Sequence, residues 1–168
     1  MGVIEYELLL DEERKPVLVK KNSEFSDADE FLDSPSKIAQ MFMVGCNAEY
    51  LPEEHIWMLA LNVKCKPIGM FEVAHGTNRN CMTSPRELFV RACVSGCDCI
   101  VVVHNHPSGI CTPSEEDDLV TKRLVGAGEL LGIPVVDHVI IGEDSYYSYA
   151  EQNEELLKPK QARKEQEA

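Results

Sequence analysis

Four residues near the middle of this 168-residue chain have the types and spacing for metal-assisted chemistry. His104 and His106 are separated by one residue, seven more precede Ser114, and two precede Asp117. Ahead of them runs Ile100-Val101-Val102-Val103, short, apolar and β-branched, the composition of a buried strand. Extended backbone sends side chains i and i+2 to the same side, so His104 and His106 can converge on one point while Asn105 faces away. Two imidazoles and a carboxylate, with a fourth position left for water, form a catalytic zinc ligand set. Either histidine alone reads equally well as a structural strand residue. The aspartate on the following helix makes the set.

The elements that must position these groups are a strand, a loop and a helix start. Thr112-Pro113-Ser114-Glu115 predicts the helix start, with Thr112 as N-cap, Pro113 as first helical residue and Glu115 as capping-box partner. That reading leaves Ser114 free and sets it at i, i+3 with Asp117 on one face of the first turn. A free hydroxyl there can support a tetrahedral oxyanion, a contribution of about 3 kcal/mol. The helix is expected over 113–131, with Val120, Leu124, Ala127 and Leu131 as its core stripe. Cys111 lies in the same loop. A thiolate is a good zinc ligand, although a packing thiol is the plainer reading.

Upstream, residues 5–10 and 17–21 flank a polar turn and predict a hairpin that extends or shields a sheet edge. Residues 23–33 hold five acids and no base and read as a solvated linker. Ser34-Pro35-Ser36 opens a helix to about Gly45. Residues 55–62 and 67–74 read as two strands joined at Lys64-Cys65-Lys66. Glu72 sits among Met70, Phe71 and Val73, where an uncompensated buried carboxylate would be costly. It either points to solvent or faces the candidate site. Ser84-Pro85-Arg86-Glu87 is a capping box, so Glu87 already has a structural role, and the helix to about Ser95 is expected to bury Leu88, Phe89, Ala92 and Cys93. Residues 135–141 predict a strand carrying Asp137-His138, either a polar pair of the core or partners of the metal ligands. After Ala150 the chain is highly charged, consistent with a frayed or disordered tail.

A net charge of −13 disfavours tight gripping of a phosphate backbone, and no run reaches membrane-spanning length. Met1-Gly2-Val3 opens no signal-peptide pattern, and seven cysteines suit reduced thiols better than a disulfide framework. A cytoplasmic protein is expected. Cys97-Asp98-Cys99 has no answering pair at zinc-finger spacing, so Cys93 and Cys99 read as core thiols.

The pattern H-x-H-x7-S-x2-D resembles the JAMM motif of the JAB/MPN zinc metalloprotease superfamily. The wider run, from His104 to Gly109 with Pro113, Ser114 and Asp117, is similar to RadC proteins in particular. Gly76-Thr77, Pro85-Arg86-Glu87, Leu131-Gly132-Ile133, Asp137-His138, Ile141-Gly142 and Tyr147-Ser148 follow in matching order. The resemblance implies an α/β fold, a mixed β-sheet with packed helices in the cytidine-deaminase-like JAB/MPN architecture. It implies an N-terminal extension over 1–47, the RadC-like domain over 48–150 and a charged tail over 151–168. It implies Zn2+ on His104, His106 and Asp117, and a hydrolase cutting amide or isopeptide bonds of a peptide or protein substrate. A glutamate upstream of the H-x-H acts as general base in this superfamily; Glu72, four residues before Gly76-Thr77, matches it, with Glu87 as rival. RadC proteins also carry a DNA-repair name, so a repair-associated accessory role without peptidase activity is the alternative. A metal-free scaffold ranks last, because the ligands are all present.

Overall fold

A computed structural model of the protein describes residues 3–25, 32–76 and 83–158, apart from the side chains of 22–25. In chain order the elements are β1 (Val3–Leu10), β2 (Pro16–Phe25), α1 (Pro35–Cys46), β3 (Glu54–Leu61), β4 (Pro67–Gly76), α2 (Pro85–Ser95), β5 (Cys99–Asn105), α3 (Glu115–Leu131), β6 (Val135–Ile141), β7 (Tyr146–Ser148), α4 (Tyr149–Gln152) and α5 (Glu154–Leu157). The strands form one seven-stranded mixed sheet in the order β2-β1-β4-β3-β5-β6-β7. The N-terminal hairpin extends this sheet, since β1 runs parallel to β4. Its second strand continues to Phe25, beyond the expected Lys21. Most of the acidic linker, Ser26–Phe31, and Thr77 and Cys81 lie outside the described residues.

β5 is buried at all seven positions and lies between β3 and β6, as its unbroken apolar run requires. Alternation along the strands makes two cores. On one face Trp57, Leu59, Met70, Val101, Val103 and Val139 pack against Ile38 and Phe42 of α1. On the other, Ile56, Met58, Phe71, Ile100 and Val102 pack against Leu88, Phe89 and Ala92 of α2 and Leu124 and Val125 of α3. Cys99 is buried as expected; Cys93 is exposed, a correction, because the stripe of α2 narrows to Leu88, Phe89 and Ala92.

Two further expectations about α3 are corrected in part. Of its expected stripe, Leu124 is buried and Val120 and Ala127 pack against the same core, but Leu131 is half exposed, and Thr121, Val125 and Gly128 are buried as well. Gly128 lets the helix approach the chain closely: a Cβ there would lie 2.5 Å from the Ile133 carbonyl oxygen. Thr121 is buried on the same side of the helix. The helix also starts later than predicted, at Glu115, with Ser114 as N-cap in place of Thr112. Among the described residues no helix is long and apolar enough to cross a membrane.

Candidate metal centre

The end of β5, the start of β3 and the first turn of α3 meet at one end of the central strands of the sheet. His104 is only 2% exposed, and its Nε2 lies 3.0 Å from Nε2 of His106. Asp117 completes the group, with Oδ1 3.2 Å from His104 Nε2 and Oδ2 3.4 Å from His106 Nε2. Glu54, the first residue of β3, stands 4.0 Å from His104 Nε2 through Oε1. These four residues form one cluster able to hold a metal ion.

Asp117 is aimed by its cap. Ser114 donates to its Oδ2 from both the backbone N–H (2.7 Å) and the hydroxyl (2.6 Å), while Ser114 Oγ accepts from the Asp117 N–H at 3.1 Å. This reciprocal box takes up the hydroxyl that the sequence reading left free. Asp117 is the capping partner, because it sits at the third helical position after Ser114.

The imidazole protons can be assigned by following donors and acceptors. Thr121 donates its hydroxyl to the Asp117 carbonyl oxygen at 2.6 Å, so toward His138 Nδ1, also at 2.6 Å, it must accept. His138 therefore carries its proton on Nδ1 and presents a bare Nε2 to His104 Nδ1 at 2.8 Å. His104 must then be protonated on Nδ1, leaving its Nε2 lone pair directed into the cluster. Burial, reinforced by the charge of a protonated His104, holds His138 well below the usual imidazole range, in keeping with a neutral ring. His106 reaches the same state separately, by donating from Nδ1 to the Ile110 carbonyl at 2.7 Å. That loop is seated because Gly142 lacks a side chain: a Cβ there would lie 2.4 Å from the Gly109 carbonyl oxygen.

Two imidazole lone pairs and a carboxylate thus face one another, and only protons or a cation can satisfy them. Without a metal, protons do so. Burial would push Asp117 up, yet hydrogen bonds from His104 and His106 hold it well below the ordinary carboxylate range. Burial would likewise lower His106, but Asp117 and the Ile110 carbonyl raise it. Burial raises Glu54, offset in part by the neighbouring histidines. The donor set also fits zinc in size. Zinc–ligand bonds of about 2.0–2.1 Å in a tetrahedron require ligand atoms about 3.3 Å apart, close to the three separations within the His104–His106–Asp117 group.

A model of the RadC-like JAB domain matches residues 32–155, well over half of the chain. The chain belongs to the RadC-like JAB family. Among its relatives, a UPF0758 protein from Alkaliphilus metalliredigens is 41% identical over 122 residues, 73% of this chain and 52% of that protein. A UPF0758 protein from Caldanaerobacter subterraneus is 46% identical over 110 residues, 66% of this chain and 46% of that protein. Another, from Clostridium novyi, is 39% identical over 137 residues, 81% of this chain and 59% of that protein. The chain therefore spans about half the length of the relatives it matches. The seven-stranded mixed sheet with packed helices is consistent with a JAB-type fold. The N-terminal hairpin lies outside the matched RadC-like segment while continuing its sheet.

Of the residues singled out in the sequence, His104, His106, Ser114 and Asp117 come together in this RadC-like domain; Glu72 does not join them. It lies on the other face of the sheet, accepting from His55 Nδ1 at 2.7 Å. Regular alternation puts it there: Phe71 lies with Ile56 on the face that carries His104, and the next residue, Glu72, pairs with Trp57 on the opposite face. Glu87 caps α2 through the Ser84 N–H, as expected. The second carboxylate at the cluster is Glu54, which sequence reasoning missed. No local pattern marks it: the antiparallel β3–β5 pair that sets Ile56 opposite His104 brings the start of β3 beside the end of β5. Asn105 fixes that start by accepting from the His55 N–H (2.7 Å) and donating to the Glu53 carbonyl (3.0 Å). His138 proves to face His104. Asp137 faces away, accepting from the Ser148 hydroxyl and the Ala150 N–H. Cys111 packs beside Ile140, Tyr149 and Leu156 and is not in the cluster.

Proposed function

We propose that this domain is a zinc-dependent hydrolase cleaving amide bonds, of the peptide or isopeptide class. The observation that carries the reading is the convergence of two Nε2 lone pairs and one carboxylate, with both imidazole tautomers fixed by partners behind them. His104, His106 and Asp117 would hold the ion, which when bound supplies Lewis-acid activation of a water and of the scissile carbonyl.

The remaining chemistry belongs to the chain's own side chains. Glu54, rather than Glu72, is assigned as general base: it takes the proton of the attacking water and passes it to the leaving amine. Its position beside His104 and its raised affinity for protons support that role. His138 and Thr121 orient His104, and Ser114 orients Asp117. The oxyanion support read from the sequence for Ser114 requires its hydroxyl proton to leave Asp117. Eukaryotic members of the wider superfamily cut ubiquitin-like isopeptides; no residue described above selects such a partner, so the substrate is assigned by bond type alone.

Elemental analysis after chelator-free purification tests the proposal. It should find at least one zinc per chain, and His106→Ala should remove about one equivalent. A protein purified without any divalent metal, and taking up none at micromolar zinc, would refute it.

A further inference from the structure

We propose a second binding site for a divalent transition-metal ion, formed by His55, Glu72 and His75 on the face of the sheet opposite the first. His55 and His75 are directly paired across β3 and β4. Glu72 Oε1 lies 2.7 Å from His55 Nδ1 and 3.5 Å from His75 Nδ1, and one ligand atom from each of the three falls within 4.8 Å of the others.

The backbone is shaped to make this group. Glu72 and His75 are three apart, and in a regular strand they would point to opposite faces. A β-bulge at Val73, where Ile56 pairs with Ala74 but Trp57 pairs with Glu72, turns His75 to the side of Glu72 and His55. A hydrogen-bonded His55–Glu72 pair alone would not need His75. The His55 ring is also held in place, stacked on Trp57 at 5.5 Å and 14° and on His75 at 5.4 Å and 27°. Asn105 anchors its backbone N–H. The side chains are graded in exposure, 18% for His55, 32% for Glu72 and 62% for His75, so remaining coordination positions open to water. Two imidazoles and one carboxylate on one side of an ion suit zinc and its first-row neighbours better than calcium or magnesium, which prefer oxygen ligands.

The two sites share β3: Glu54 faces one and His55 the other. They can still be read separately. The test titrates Zn2+ into the full chain, stripped with chelator, carrying His106→Ala and Asp117→Ala to remove the first site. Imidazole resonances are followed by nuclear magnetic resonance and melting temperature by scanning fluorimetry. Zinc should shift the ring signals of His55 and His75 and raise the melting temperature. Adding His75→Ala, an exposed change that leaves the core intact, should weaken binding about tenfold or more. The proposal is overturned if the two ring signals do not move up to millimolar zinc, or if His75→Ala changes the affinity by less than twofold. Failure of the first site would appear in the unmutated protein as unshifted His104 and His106 signals, whatever happens at His55.

Discussion

The chain of hydrogen bonds behind His104 makes a quantitative prediction. His138→Phe keeps ring size and the stacking on Tyr149, whose ring lies 5.3 Å away at 12°. It removes the acceptor for His104 Nδ1–H, in a site where His104 and His138 are each 2% exposed. Leaving that buried donor without a partner costs about 1–3 kcal/mol of stability. His104 also loses the partner that holds its lone pair on Nε2, and losses of this kind weaken metal binding about 10–100-fold, or about 1.4–2.8 kcal/mol. Urea unfolding of the metal-free protein measures the first effect, and competition with a chromophoric zinc chelator measures the second. Ser148→Ala is the control: it removes a donor to Asp137 on the far side of β6, so it should lower stability and leave zinc affinity unchanged. If folded His138→Phe protein binds zinc within threefold of the unmutated chain, the proton assignment through Thr121 and His138 is wrong.

Other expectations follow from the same geometry. Glu54→Gln should retain zinc and lose about a hundredfold to ten-thousandfold in turnover of a peptide or isopeptide substrate, while Glu72→Gln should leave turnover nearly unchanged; the reverse order in a rate assay would restore Glu72 as the base. Cys46 should resist alkylation, since burial, followed by the charges of Glu5 and Glu72, pushes its thiol from 9.0 up to about 12. The raised value favours the unreactive protonated form, so at pH 8 its thiolate is about a thousandfold scarcer than at the ordinary value. Mass spectrometry after brief iodoacetamide treatment should find Cys65 and Cys93, both exposed, modified before Cys46. With a net charge of −13, the chain should show no sub-micromolar, salt-sensitive affinity for duplex DNA in a fluorescence anisotropy titration.

The candidate metal ligands were legible in the sequence because their geometry is local. An apolar run fixes β5 as a buried strand, period-two alternation sets His104 and His106 on one side, and a helix start nearby sets Asp117 on the first turn, although its cap is Ser114 and not the expected Thr112. The same reasoning located β3, β4, α1, α2 and β6 to within a few residues, since each is bounded by proline, glycine or a capping pattern that acts over short range. Three features lay beyond it. The face of Glu72 left no local mark, because apolar residues flank it on both sides of a sheet that is covered on both faces, so alternation could not say which face held the site. The identity of the second carboxylate depended on the β3–β5 register, a long-range pairing that sets Ile56 opposite His104. The burial of Thr121 against His138 gave no apolar signal in the stripe of α3, because a hydroxyl is placed there by the packing of the helix on the sheet. Sequence by itself determined which groups could bind a metal. Tertiary structure decided which acid stands beside them and which partners hold their protons, because both depend on strand register and helix rotation, which are settled by packing across the whole sheet.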